Sequence, residues 1–429
     1  MKLQRTGVLL VALALLATGC RGGGEDSGGS SAANAPGVSD EACPEAVNED
    51  NGCIYLGTIS DLTQGPFAPL GVPITEAQAA FWQRVNEDGG IGGYDIDVTK
   101  YVKDNLYNPQ THQQVYGEIE GEVLALAQTL GSPTTLAIIP DMQRDEMVGA
   151  PASWTSLWAF EDTILESGAN YCVEGMNSVD HMVETKDIGS VMAVHFPGDY
   201  GGDGAAGAKI AAEANGLDFT AVETAPGQES QAGAISAIVK QKPDLVLLGT
   251  SPTETAVIVG QAAAQGYQGQ FIGLGPTWNP ALLETPAAPA LEALYMQSGY
   301  WGPFGTDTPG HQAMRDALGD VAQPNDGYTA GWAWSYPLKA ALEEWLEGDY
   351  DKDRGGLLEA VQSLETIDYE GMLPEEAGNR TGDPDETIFR ESVLSKVDPS
   401  APSGVAIVEE FGAGPTVSEH TFEGACFEG

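Results

Sequence analysis

From Ile54 to Leu274 one pattern repeats: a short apolar run, then a longer amphipathic stretch with apolar residues three and four apart. The runs Ile54–Ser60, Glu122–Gln128, Met147–Ala150, Ser190–Phe196, Phe219–Ala225, Leu245–Thr250 and Phe271–Leu274 read as strands. Tyr94, Ile96, Val98, Lys100 and Val102 alternate with more polar neighbours and add another. Ile74, Ala77, Phe81 and Val85 mark the first helix, which stops at Gly89-Gly90. Further helices are predicted over Pro133–Arg144, Gly204–Asn215, Gln231–Gln241 and Thr253–Gln265. Strands that alternate with helices pair in parallel, with helices covering both faces, so the fold class is α/β. Past Tyr300 the pattern turns helical, at Gly310–Asp320, Tyr328–Leu346 and Leu357–Leu364. An irregular acidic stretch, Tyr369–Asp385, and a strand near Val405–Phe411 close the chain.

This architecture places ligands beyond the C-terminal ends of strands. Composition narrows which ligands. With 63 Asp+Glu against 18 Lys+Arg the formal net charge is −45, a surface that repels phosphate backbones, so no nucleic-acid partner is expected. Five Cys and five His are too dispersed for a metal centre or cluster, and no metal or cofactor is expected. There is no Gly-x-Ser-x-Gly elbow, no His-Glu-x-x-His pair and no Gly-Lys-Ser/Thr loop, so the chain does not read as an enzyme.

The N-terminus reads as an export signal. Lys2 and Arg5 precede an apolar stretch, Val8–Ala17, which runs into Leu16-Ala17-Thr18-Gly19-Cys20. Small residues before a Cys resemble the bacterial lipobox. The expectation is a signal peptide over 1–19, a lipidated Cys20, and a tether and lead-in over 20–52, of which 21–36 is rich in Gly, Ser and Ala. The protein would be exported and anchored to the outer face of the cell membrane, touching it only through the lipid. Export permits disulfides. Cys43, Cys53, Cys172 and Cys426 allow three connectivities, of which Cys43–Cys53 with Cys172–Cys426 is preferred because the first two are near in sequence.

Five segments in order carry a resemblance. Ile54–Thr63 with Gly65-Pro66-Phe67 and Gly71 is similar to the opening of leucine/isoleucine/valine-type solute-binding proteins. Asn86 with Gly89-Gly90-Ile91-Gly92-Gly93, then Leu130-Gly131-Ser132-Pro133-Thr134-Thr135, Asp199-Tyr200-Gly201 and Asn325-Asp326-Gly327-Tyr328 resemble later signatures. The resemblance implies a type I periplasmic-binding fold, with two Rossmann-like lobes joined by three crossovers. These would fall near Asn170–Cys172, Tyr300–Gly302 and Gly371–Glu375, giving one lobe from 53–170 plus 302–371 and another from 171–301 plus 372–429. It implies a monomer that captures a small molecule between the lobes and delivers it to an ABC permease. The alternative is a receptor of the same fold that presents its ligand to a signalling partner.

Ser132-Pro133 directly after a strand reads as a helix start whose free N–H groups face the cleft, with Thr134 as a further donor. The resemblance adds Ala152, Ser153 and Trp154 from the next strand end, and topology adds Tyr200, Ser251, Gly275, Thr277 and Trp278, which follow strands of the other lobe where a doubly wound sheet presents ligand groups. Leu70 falls where amino-acid-binding relatives carry an aromatic, with Phe67 as the candidate replacement, and Tyr328 belongs to the last signature. One departure matters: relatives that bind α-amino acids place an acid near Gly275, and Leu274–Asn279 holds none. An ammonium buried without a charge partner is costly. Asp199 and Glu254 are substitutes to consider, and the ligand is expected to be a branched-chain amino acid or a related carboxylate or amide.

Overall fold

The computed structural model describes residues 35–427. The chain enters through β1 (Val38–Ser39) and β2 (Gly52–Ser60), followed by α1 (Ala68–Glu87), β3 (Tyr94–Asp104) and α2 (Pro109–Ile119). Next come β4 (Ala125–Leu130), two short helices α3 (Ser132–Leu136) and α4 (Ile139–Asp145), and β5 (Gly149–Ala152). β3, β2, β4 and β5 lie side by side in parallel, and β1 adds to β2 antiparallel. β4 is buried along its whole length, as expected where helices cover both faces.

The chain then crosses to a second sheet: α5 (Tyr171–Thr185), β6 (Ser190–His195), α6 (Asp199–Ala214), β7 (Asp218–Glu223), α7 (Ala232–Gln241), β8 (Leu245–Gly249), α8 (Pro252–Ala264), β9 (Gln270–Gly273), α9 (Ala288–Leu294) and β10 (Tyr295–Gly299). It crosses back for α10 (Pro309–Leu318), α11 (Asp326–Ala333), α12 (Ser335–Glu347) and α13 (Arg354–Ser363), of which α10, α11 and α12 pack on α1. A third crossing brings α14 (Pro384–Thr387), then β11 (Ser392–Val397) and β12 (Val405–Gly412) to the edge of the second sheet, and α15 (Pro415–Glu419) ends the fold. The second sheet runs β12-β11-β10-β9-β8-β6-β7, with every pairing parallel except those of β11, which runs antiparallel to both β10 and β12. Two α/β lobes with three connections result.

Several elements differ from the sequence reading. The helix predicted over Pro133–Arg144 is two helices, because Pro140 has no N–H to donate into a continuous turn and instead sits in the first turn of α4. The helix predicted over Tyr328–Leu346 likewise divides at Trp334, with Pro337 in the first turn of its second half. β4 and β5 begin two to three residues later than predicted. Asn170 caps α5, its side-chain oxygen accepting the Val173 N–H at 2.9 Å, so the first crossing lies before 170–172.

Within the span predicted as tether, 20–52, the residues from 35 onward are packed on the first lobe. Ala35 is buried in the core, Val38 and Ser39 pair with Ile54 and Cys53, and the Val47 and Asn48 N–H groups donate to the Asp95 carboxylate at 2.8 and 2.9 Å. A Cys43–Cys53 disulfide fixes this lead-in, and Cys172–Cys426 joins α5 to the tail, the preferred pairing of the three. The signal sequence and Cys20 lie outside the described residues. Among the described residues no helix is long and apolar enough to cross a membrane, and no cluster of His, Cys, Asp and Glu could hold a metal ion.

Candidate functional site

The cleft lies where the C-terminal ends of β2, β4 and β5 face the second lobe. Its empty space, about 850 Å³, includes open solvent at the mouth. Its first wall is built from Phe67, Leu70 and Ile74 at the start of α1, Ser132 after β4, and Ala152, Ser153 and Trp154 after β5. Its second wall holds Tyr171, Tyr200, Gly275, Trp278, Ser298 and Tyr300. The lobes touch across it. Phe67 meets the Tyr200 ring edge-on at 5.7 Å, and the Asn279 amide donates to the Pro69 carbonyl at 3.2 Å. Behind the cleft, the Asp203 carboxylate on α6 accepts N–H groups from Ser156 at 2.9 Å and Cys172 at 3.0 Å.

Nine of the residues singled out in the sequence line this cavity: Phe67, Leu70, Ser132, Ala152, Ser153, Trp154, Tyr200, Gly275 and Trp278. Several do so differently from expectation. Tyr200 offers its ring, because its hydroxyl donates to the Thr250 carbonyl at 3.0 Å. The Ser153 hydroxyl accepts from Trp158 Nε1 at 3.2 Å. Trp278 donates to the Ser403 carbonyl at 2.9 Å and stacks on Tyr295 at 5.7 Å, which fixes its ring as a wall. Trp154 stacks on Tyr300 at 4.5 Å and donates to the Ser167 carbonyl at 3.0 Å, so it both faces the cavity and packs against the crossings.

Four residues do not line it. Thr134 bonds back to the Leu130 and Gly131 carbonyls. The Ser251 hydroxyl is held by Glu254. Thr277 is enclosed by the Leu274 carbonyl, Tyr295 and Gln297. Tyr328 reaches away to Glu76 at 3.0 Å. All four have a partner inside the protein, which residue type and position alone did not reveal. The helix start at Ser132 is also weaker than expected. α3 has five residues, its cap is Gly131 at φ +96°, and the Ser132 hydroxyl has no partner. Gly131 is required there, since a side chain would meet Tyr107 at 2.6 Å.

Behind the second wall lies what sequence reasoning missed. Glu174, one turn into α5, is fully buried and accepts the Gly275 N–H with both carboxyl oxygens, at 3.1 and 3.3 Å. Burial pushes its pKa up to about 8, so it is mostly protonated at neutral pH. The acid absent from Leu274–Asn279 is thus met in space from another element, and in its uncharged form. Glu254, by contrast, accepts the Gly227 N–H at 2.9 Å and stays off the cavity, and the Asp199 side chain lies outside what the structure describes. Among the described residues Asp326 is the one acid on the cavity wall, and burial pushes it up to about 6. Its carboxylate accepts the Phe304 N–H at 2.9 Å. No Lys, Arg or His lines the cavity among the described residues.

No curated protein sequence is significantly similar to the chain. Solved structures are. A fatty acid ABC transporter substrate-binding protein from Thermomonospora curvata has 30% sequence identity and a TM-score of 0.80, covering 90% of this chain and 96% of its own. A branched chain amino acid ABC transporter protein from Thermus thermophilus, with bound valine, has 17% identity and a TM-score of 0.74, covering 86% and 98%. A leucine binding protein from Thermotoga maritima has 16% identity and a TM-score of 0.68, covering 82% and 97%. The last two share the fold. The family model described as periplasmic binding protein matches residues 54–400. With that match and the two-lobed cleft, the chain belongs to the periplasmic binding protein family, as an ABC transporter substrate-binding protein with the type I fold.

Proposed function

We propose that the cleft captures a small amphipathic carboxylic acid with a hydrocarbon tail, of the fatty-acid kind, and hands it to an ABC importer from a lipid anchor at Cys20. The observation that carries this reading is the lining of the cleft. Eight aromatic residues wall it, Phe67, Tyr107 and Trp154 with Tyr171, Tyr200, Trp278, Tyr300 and Trp301, and the polar side chains are few. Such a surface gains from burying hydrocarbon, about 0.8 kcal/mol per methylene. The name of the Thermomonospora curvata relative, a fatty acid binder, supports the same class. The test is calorimetric titration with straight-chain acids of four to fourteen carbons beside leucine and valine. Affinity that climbs with chain length, with a negative heat-capacity change, is the expected result. Saturable binding of leucine or valine with none for the longer acids would overturn it.

Asp326 favours a second reading. It is an acid on the cavity wall, and an ammonium group would find a charge partner there. A branched-chain amino acid would then be the ligand, and Asp326→Asn would abolish its binding. The same change would leave alkanoate binding unimpaired under the first reading.

A further inference from the structure

The second wall has a corner unlike the rest of the cleft. Ser298 at the end of β10 and Tyr300 just beyond it both line the cavity. Both are completely buried, and neither the Ser298 Oγ nor the Tyr300 hydroxyl has a hydrogen-bond partner of good geometry. Polar atoms buried in that state are costly, and proteins seldom keep them without use. Behind both lies the Glu174 carboxyl. Both hydroxyls interact with it closely enough to favour its charged form. Gly275 closes the corner. A side chain there would come within 2.4 Å of the Tyr300 ring, so only glycine lets the backbone N–H reach Glu174 beneath the phenol.

Resting on the amphipathic-acid reading above, we propose that the ligand's carboxylate docks on the Ser298 and Tyr300 hydroxyls at this corner, and that Glu174 is a positioning residue that aims them. The geometry supplies the means. One oxygen of a protonated Glu174 accepts the Gly275 N–H, and its own O–H is free to donate to a neighbouring hydroxyl oxygen. The hydroxyls then spend their protons on the ligand. Once ionised, Glu174 can only accept, and the hydroxyls turn towards it and away from the cleft. The titratable groups facing Glu174 are Tyr200 from α6, Tyr295 from β10 and Tyr300, all with pKa values raised by burial and neutral over the range considered. Tyr171 begins its own helix, and the Asp203 carboxylate sits at that helix start on the Cys172 N–H.

The test uses the purified protein with octanoate, decanoate, dodecanoate and decylamine across pH 6.5 to 9. Tyr300→Phe keeps the ring stacked on Trp154 and removes only the hydroxyl. It and Ser298→Ala should each weaken decanoate about tenfold, as expected for a hydrogen bond to a charged group. Both should keep the gain of about fourfold per methylene. Wild-type affinity should fall as pH rises through about 8, where Glu174 loses its proton. Glu174→Gln, which can still donate, should bind decanoate at pH 7 and show no such fall. Unchanged decanoate affinity in both hydroxyl variants would overturn the corner while leaving the ligand class standing, and so would a pH profile in Glu174→Gln that matches wild type. Failure of wild type to bind any of the alkanoates would overturn the ligand class and the corner together, and decylamine binding alone would do the same.

Discussion

The two walls of the cleft are made of similar residue types and differ in how many buried hydroxyls they leave without a partner. On the first wall the Ser153 hydroxyl accepts from Trp158, and Thr134, off the cavity, bonds back to two carbonyls, while the Ser132 hydroxyl has no partner. On the second wall the Tyr200 hydroxyl is engaged as well, but the Ser298 and Tyr300 hydroxyls are buried over the Glu174 carboxyl without a hydrogen-bond partner of good geometry. A satisfied surface shapes a ligand, whereas an unsatisfied one selects it, because only a ligand with matching groups relieves the cost. Under the proposed docking, the first lobe supplies fit and the second chemical choice.

The largest effect that can break this comparison is on stability. Glu174 titrates near 8 in the folded protein against 4.5 as its ordinary value. Its native proton therefore favours the fold most fully below about pH 4.5, and that advantage is lost as pH rises towards 8. At roughly 1.4 kcal/mol per pKa unit the loss amounts to a few kcal/mol. Urea denaturation should show Glu174→Gln gaining on wild type between pH 5 and 8.5, and parallel curves would mean the corner is not strained. Next comes Gly275→Val, which drives a side chain into Tyr300. It should cost decanoate at least about 2 kcal/mol while circular dichroism stays native.

Trp278→Ala removes a fixed wall and should cost about 2 kcal/mol of binding, close to the effect of other buried aromatic anchors. Tyr200→Phe should cost nothing in affinity, because its hydroxyl is spent on Thr250. A Tyr200→Phe loss equal to that of Tyr300→Phe would erase the distinction between ring and hydroxyl roles. The smallest effect belongs to Thr134→Ala. It should lower stability by about 1 kcal/mol, through the lost bonds to Leu130 and Gly131, and leave ligand affinity unchanged. A fall in affinity would return Thr134 to the ligand set.

What was legible in the sequence followed from periodicity. β8, Leu245–Gly249, is an unbroken apolar run because both its faces are buried, and that run is visible without a structure. Helix interruptions at Pro140 and Pro337 were equally visible and were passed over in favour of the apolar spacing on either side. Residues at strand ends were found because topology puts ligands there, which is how Gly275 and Trp278 were reached. Glu174 could not be found that way. It sits on a helix, a hundred residues from the glycine it touches, and only the packing of α5 against β8 and β10 brings the two together. Ser251 and Thr277 show the converse. Position predicted exposure to the cleft, yet a neighbouring acid or tyrosine had already claimed each hydroxyl.

The stacking of Trp154 on Tyr300 has an optical consequence. Of the eight tryptophans in the chain, Trp154, Trp278 and Trp301 border the cavity, and Trp154 and Trp301 also pack together at 4.9 Å beside the second crossing. An indole emission spectrum depends on the polarity around the ring and on nearby aromatic partners. Water leaving the cavity, or the lobes separating, changes both for the same rings. The protein therefore carries its own label: the colour and intensity of its native fluorescence should follow occupancy of the cleft, with no dye attached.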